Sequence, residues 1–293
     1  MPPIVALSHR TLYRYARPVS LGPQTVRLRP APHARTSVLG YSLTVSPHPR
    51  SIHWLRDPAG NALARVLMGH PVDSFGVTVD LSLDLTPFNP FDFFLEPEAA
   101  RWPFRYPAML EGMLSPYRQD GPPSPAVAAL LLDLGRGASG TVDVLVAANT
   151  LVNNRVAYIQ RAEPGIWSPE QTLAAEQGSC RDSAWLTVGL LRALGFAARF
   201  CSGYLVQLAD ESAGDRADLH AWAEVWLPGA GWIGLDATSG LLTAEGHVPL
   251  AAAPAPEAAM AVTGWLEPVE SSFSFEMEVS RLDRGGAAAD DMT

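Results

Sequence analysis

The sequence predicts an α+β protein: an N-terminal antiparallel β domain, then a core of helices packed on an antiparallel sheet. Three observations carry this. Residues 1–95 hold short stretches that alternate apolar and polar side chains at period two, FGVTVDLSLDL at 75–85 being the clearest. From Ser124 the period changes, and 126–134 and 141–156 place apolar residues three and four apart. Past Gly195 strand-like runs return in 196–208, 219–227 and 232–237.

The elements follow in order. Val5–Tyr15 alternates until Pro18, Gly22 and Pro23 break it, and 41–45 is a second strand. Ile52–Arg56 and Ala62–Met68 flank Asp57-Pro-Ala-Gly-Asn61, a turn between two apolar runs. With 75–85 added, 1–95 has the strand density of a sandwich or barrel. Residues 96–125 form a connection rich in Pro and aromatics, whose rings are costly to leave in water, so it packs over a surface. The core domain spans 126–248. In it, Ser168-Pro-Glu-Gln171 reads as a helix start with a serine cap and a glutamine capping-box partner, the helix ending at Gly178. Ser179-Cys180-Arg181-Asp182 starts the next helix, which stops at Gly195. Leu219–Leu227 and Trp232–Ala237 form a hairpin through Pro228-Gly-Ala-Gly231. Within 249–293, the Ala/Pro stretch 249–262 reads as a loose surface loop. Ser271–Val279 reads as a terminal strand with Phe273, Phe275, Met277 and Val279 on one face, and 285–293 as a disordered tail.

Composition narrows the chemistry. The 293 residues suggest about two domains. A 47% hydrophobic content supplies a large core, and 17% charged residues argue against disorder. A net charge of −9 argues against a nucleic-acid partner. No apolar run approaches the ~20 residues of a membrane span. The start, MPPIVALSHRTLYRY, lacks a basic segment followed by an apolar one. A cytoplasmic protein with no membrane partner is therefore expected. All 21 basic residues are arginine, which removes Schiff-base and P-loop lysines together. The two cysteines, Cys180 and Cys201, exclude a disulfide scaffold and a four-cysteine zinc site. His9, His33, His48, His53 and His70 are scattered without ligand spacing, so no metal or cofactor is expected.

One constellation proposes chemistry. Cys180 opens a helix, His220 opens the strand HAWAEVW, and Asp236 ends the strand WIGLD across the hairpin. A helix N-terminus stabilises a thiolate through its free N–H groups and dipole. A histidine accepts the thiol proton and returns it to a leaving group, and a carboxylate orients that histidine and favours its charged form. Alternation puts His220, Trp222 and Glu224 on one strand face and Ala221, Ala223 and Val225 on the other. The small set then faces the core and the histidine set a cleft. Taken singly, each residue has a plainer reading: a packing thiol, a structural histidine, a turn aspartate before Ala-Thr-Ser. Nearby, Asp182 reads as a capping-box acid whose charge opposes the thiolate, and Arg181 as its offset or as a binder of a substrate carboxylate. Trp222 reads as cleft wall or sheet packing, and Cys201 as a buried thiol. An oxyanion hole would use the Cys180 N–H and a second donor, for which Gln177 is the candidate.

The stretches GSCRDSAWLTVGLLRALGFAARFCSGYL and DLHAWAEVWLPGAGWIGLDATSG resemble the bacterial transglutaminase-like superfamily, candidate cysteine proteases. SLGPQTVRLRP at 20–30 resembles the N-terminal β domain that precedes the core in these proteins, and HVPLAAAP and FSFEMEVSRL resemble its usual C-terminal end. The resemblance implies a papain-like transglutaminase core, with the Cys helix packed on an antiparallel sheet that carries His and Asp. It implies Cys180 as nucleophile, His220 as general base and acid, and Asp236 as orienting acid, the three that the residues themselves propose. The expected activity is acyl transfer from a peptide or protein amide through a thioester. Hydrolysis is favoured because it needs no second binding site; amine transfer and a catalytically silent peptide-binding module are the alternatives.

The missing lysines set one expectation. Pure enzyme incubated without added protein should form no isopeptide ladder, because the chain offers no ε-amine acceptor. Reductant-resistant high-mass species that mass spectrometry maps to internal isopeptides would contradict this.

Overall fold

The computed structural model describes residues 3–118, 121–134, 139–161, 163–209 and 214–282, so the predicted tail at 285–293 lies outside the described residues. Strands β1 (Ile4–Val19), β2 (Gln24–Val26), β3 (Ser37–Ser46), β4 (Ser51–Arg56), β5 (Ala62–Leu67) and β6 (Val72–Asp84) form the N-terminal region. Helices α1 (Ala108–Leu114), α2 (Pro125–Leu134) and α3 (Thr141–Arg155) follow, then β7 (Ala157–Tyr158), α4 (Pro169–Ala175), β8 (Gln177–Gly178) and α5 (Cys180–Ala193). The chain continues through β9 (Ala198–Gln207), β10 (Arg216–Leu227), β11 (Gly231–Asp236), β12 (Leu241–Leu242), β13 (His247–Ala253), β14 (Val262–Thr263) and β15 (Ser271–Leu282).

Two four-stranded antiparallel sheets, in the orders β15-β1-β6-β3 and β14-β2-β5-β4, enclose a core of alternating residues that includes Val5, Leu7, Val77, Val79, Leu81 and Leu83. The last two strands therefore return to complete the first domain; β15 pairs with β1 over its whole length, from Ile4↔Leu282 to Tyr15↔Ser271. The aromatic stripe of β15 splits. Met277 and Val279 pack on the sandwich core, whereas Phe273 and Phe275 are exposed and stack on Tyr13 and on each other.

A five-stranded antiparallel sheet, β12-β11-β10-β9-β13, forms the second layer. α5 packs on one face, where Leu186, Leu190 and Leu191 are wholly buried against Phe200, Ala221, Ala223 and Val225. Each such leucine contributes up to roughly 1.5–3 kcal/mol. The connection also packs as expected. Trp102 Nε1–H donates to Leu194 O at 2.9 Å, and Tyr106 Oη–H donates to Trp226 O at 2.8 Å.

The loose loop expected at 249–262 is corrected. His247–Ala253 is the buried edge strand β13, and Pro256–Ala259 a short 3-10 turn. Both faces of β13 are covered: Ala251 and Ala253 join the α5 core, while Ala252 meets Trp222 and Cys201 on the opposite face. Small side chains on both faces let the strand fit between two packed layers, so an alanine run that reads as low complexity is core. The free edge of β13 receives the predicted turn. Asn61 exchanges hydrogen bonds with the Ala252 backbone, N–H to Oδ1 at 2.8 Å and Nδ2–H to O at 2.9 Å.

Gly203 on β9 sits opposite His220 and beneath Trp222, where a Cβ would overlap the indole ring and the Val248 carbonyl. Gly203→Ala should therefore destabilise the fold by about 1–3 kcal/mol, the cost of overpacking a filled site. Chemical denaturation reads it; an unchanged midpoint would mean that Trp222 has room to move.

Candidate active site

α5 begins where donors converge on one buried carboxylate. Asp182 accepts the Ser179 N–H and Oγ–H at 2.8 and 2.7 Å, the Trp167 N–H at 2.8 Å, and the Arg161 guanidinium on both oxygens at 3.0 and 3.2 Å. Burial would raise its pKa, but Arg161 and these hydrogen bonds outweigh that and hold it below the ordinary value. Gly178 is required beside it, since a Cβ there would press on the Asp182 Cβ. The capping-box reading of Asp182 thus holds, and the offsetting cation is corrected: it is Arg161, reaching in from the loop after β7. Arg181 instead donates through Nη2 to the carbonyls of Arg161 and Glu163, both at 3.2 Å, so its guanidinium braces that loop. α4 starts at the predicted Ser168–Gln171 capping box but stops at Ala175, because Glu176 takes the left-handed conformation (φ 51°) and frees Gln177–Gly178 to pair with β7.

The structure brings Cys180, His220 and Asp236 together. The half-buried Cys180 thiol neighbours His220 closely enough to raise the imidazole's pKa, and His220 Nε2 lies 3.1 Å from Asp236 Oδ2. Burial opposes charge on the imidazole. The Asp236 carboxylate and the neighbouring Cys180 prevail and raise its pKa to about 10. Asp236 is held far below the carboxylate range: burial opposes this, but His220, His247 and Thr238 overcome it. Both sequence readings of Asp236 are realised at once. Oδ1 turns the chain, accepting the Thr238 N–H and Oγ1–H at 2.9 and 2.7 Å, while Oδ2 faces His220. Two asparagines one turn apart on α3 fix this loop, Asn149 donating to Leu241 O at 3.0 Å and Asn153 to Ala237 O at 2.9 Å.

Trp222 is corrected as a cleft residue. It is 1% exposed, and its Nε1–H donates to Glu224 Oε1 at 3.3 Å. Glu224 in turn accepts Arg199 Nε–H at 2.7 Å, and Arg199 lies over the Trp232 ring at 3.9 Å. The face expected to open on a cleft is thus covered beyond His220 itself. Gln177 lies exposed on β8, three residues before the thiol. Cys201 is wholly buried; desolvation and the nearby Glu224 charge push its thiol well above its usual pKa. Two residues escape sequence reasoning. Tyr158 on β7 is 57% exposed, and its phenol feels the charges of Cys180, Asp218 and Asp236. His247 meets Asp236 only because β13 folds back beside β9, and no spacing signals it.

Among the described residues, two groups place possible metal ligands within 4.8 Å of one another: His220, Asp236 and His247, and His33, Cys201 and Glu224. Neither arrangement suits a cation. The Ala244 N–H donates to His247 Nδ1 at 3.2 Å, which puts the ring proton on the Nε2 that would have to ligate. In the second group the Arg199 guanidinium already occupies Glu224 and approaches His33 Nε2 at 3.1 Å.

Residues 5–84 match the bacterial transglutaminase-like N-terminal region, and residues 129–237 match the transglutaminase-like superfamily. Uncharacterized proteins of Mycobacterium bovis and Mycobacterium tuberculosis are each 29% identical over 255 residues, 83% of this chain and 81% of theirs. The solved structure of a cysteine-protease candidate from Cytophaga hutchinsonii superposes with a TM-score of 0.71 at 20% identity, covering 100% of this chain and 93% of that one. That likeness establishes the mixed α+β fold.

Removing Arg161 tests the support behind the thiol. Arg161→Ala strands a buried carboxylate, and such a loss costs about 3–5 kcal/mol. Arg161→Ala with Asp182→Asn should recover part of it. Denaturation of the single and double variants reads the coupling; additive losses would mean the pair acts independently.

Proposed function

We propose that this chain, a member of the transglutaminase-like superfamily, is a cysteine-dependent enzyme that cleaves amide bonds through a thioester on Cys180. The observation that carries the reading is the thiol at the α5 N-terminus beside an imidazole whose Nε2 rests on a buried carboxylate.

The residues suit the steps. The Cys180 thiolate adds to the carbonyl carbon of a peptide or protein amide, and the oxyanion is held by the Cys180 N–H with Gln177 as the second donor. The His220 imidazolium gives its proton to the amine as the C–N bond breaks, leaving a thioester. Neutral His220 then takes a proton from water, whose oxygen attacks the thioester, and Cys180 leaves as thiolate with the carboxylic product. Asp236 holds the imidazole throughout and stays ionised. An amine in place of water gives transfer with the same residues. No helix among the described residues is long and apolar enough to cross a membrane. A catalytic thiol fits a reducing compartment, and we place the protein in the cytoplasm.

Iodoacetamide at about pH 6 should alkylate Cys180 and spare Cys201, by a factor on the order of ten or more, because only the first is reachable and activated. Cys180→Ala should abolish turnover in a peptide-library digestion run with and without added amine. The alkaline side carries a sign. His220 is charged below its pKa, so the rate should fall as pH rises through about 10. In Asp236→Asn the imidazolium loses its anionic partner, and the limb should move to lower pH. Equal labelling of the two cysteines would favour the silent binding module, and turnover that survives Cys180→Ala would move the nucleophile away from Cys180.

A further inference from the structure

His247 stands outside the Cys180–His220–Asp236 chain yet meets it at one atom. Its Nε2 lies 3.2 Å from Asp236 Oδ2, the oxygen that also takes His220 Nε2 at 3.1 Å. Its Nδ1 accepts the Ala244 N–H at 3.2 Å. A ring nitrogen that accepts carries no proton, so the neutral ring holds its proton on Nε2 and donates it to Asp236. Trp222 packs edge-on against the same ring, centroids 5.3 Å apart at 88°, and fixes its plane. With Thr238 on Oδ1, a carboxylate that offers about four lone-pair sites has four donors.

We propose that His247 is a positioning residue for the reaction: its Nε2–H holds the Asp236 oxygen that receives the His220 N–H. This rests on the catalytic reading of Cys180 and His220. Without the second donor the carboxylate is freer to rotate, and its negative charge is less dispersed, so it takes up a proton more readily. Once neutral it no longer supports the imidazolium. The titratable groups that face Asp236 are His220 on β10 and His247 on β13. Cys180 on α5 reaches it through His220, and Tyr158 on β7 senses its charge.

His247 also closes the 244–247 turn, its own N–H donating to Ala244 O at 2.9 Å, so a structural role must be separated from a positioning one. The two ring nitrogens allow it. An asparagine oxygen can replace Nδ1 and keep the Ala244 bond, but it stops short of Asp236. A glutamine amide reaches the position of Nε2 and can still donate to Asp236. The probe is iodoacetamide alkylation of Cys180 in the full chain, followed by peptide mapping from pH 4 to 10, with thermal melting of each variant. In His247→Asn the acid limb of the alkylation rate should move up by about one pH unit, which is tenfold in rate on that limb. His247→Gln should stay within about twofold of the parent. An Asn profile that superposes on the parent's, a Gln variant impaired as much as Asn, or an Asn variant that fails to fold while Gln folds would each overturn the positioning role. Labelling that passes over Cys180 in the parent protein would instead remove the catalytic reading beneath it.

Discussion

The site depends on a carboxylate that has been taken out of water and supplied with hydrogen-bond donors on both oxygens. Asp236 is 1% exposed, at the end of β11, and receives donors from β10, from β13 and from its own following turn. Burying such a group alone is prohibitive, and it persists because its donors arrive from elements that the sheet order makes neighbours. Its position fixes His220, and on the catalytic reading proposed above His220 sets the direction from which a proton would reach the Cys180 sulfur.

The sheet that delivers these donors is covered on both faces. α5 lies on the face of Ala221, Ala223 and Val225, and the N-terminal domain reaches the other through His33 and caps the β13 edge through Asn61. This explains why two faces that alternation separates are both buried, and why β13 is made of small residues. It also ties the β sandwich to the chemistry. The turn carrying Asn61 grips β13, and β13 begins with the histidine that meets Asp236.

Much of this was legible in the sequence. Period-two alternation located β1 and β6, the Asp57–Asn61 turn located β4 and β5, period 3.6 located α2, α3 and α5, and the two serine caps set the starts of α4 and α5. Cys180 and Asp236 were readable because each sits at the end of an element, where a side chain can leave the core; His220, which lies inside β10, was readable from the hairpin it shares with Asp236. What escaped was fixed by partners distant in sequence. Nothing local distinguishes Arg161 from Arg181 as the cation for Asp182, since a capping box reports its acid and not its counter-ion. Trp222 seemed able to line a cleft because alternation assigns a face without saying what covers it. β13 read as a loop because alanine has weak strand propensity, and its assignment comes from the two layers it separates.

Three carboxylates are buried among the described residues, and their partners divide them by task. Asp182 is paired with Arg161, and Glu224 with Arg199. A guanidinium does not surrender its proton in a protein, so those two pairs hold structure and nothing moves across them. The first keeps an acidic side chain at the N-terminus of α5 from opposing the thiolate there; the second anchors Trp222 beneath the two imidazoles. Asp236 alone is met only by imidazoles, a hydroxyl and a backbone N–H. Imidazole is the group that gains and loses a proton at moderate pH. A chain whose basic residues are all arginine thus leaves, among its buried acids, one that it withholds arginine from, and that acid lies behind the histidine beside Cys180.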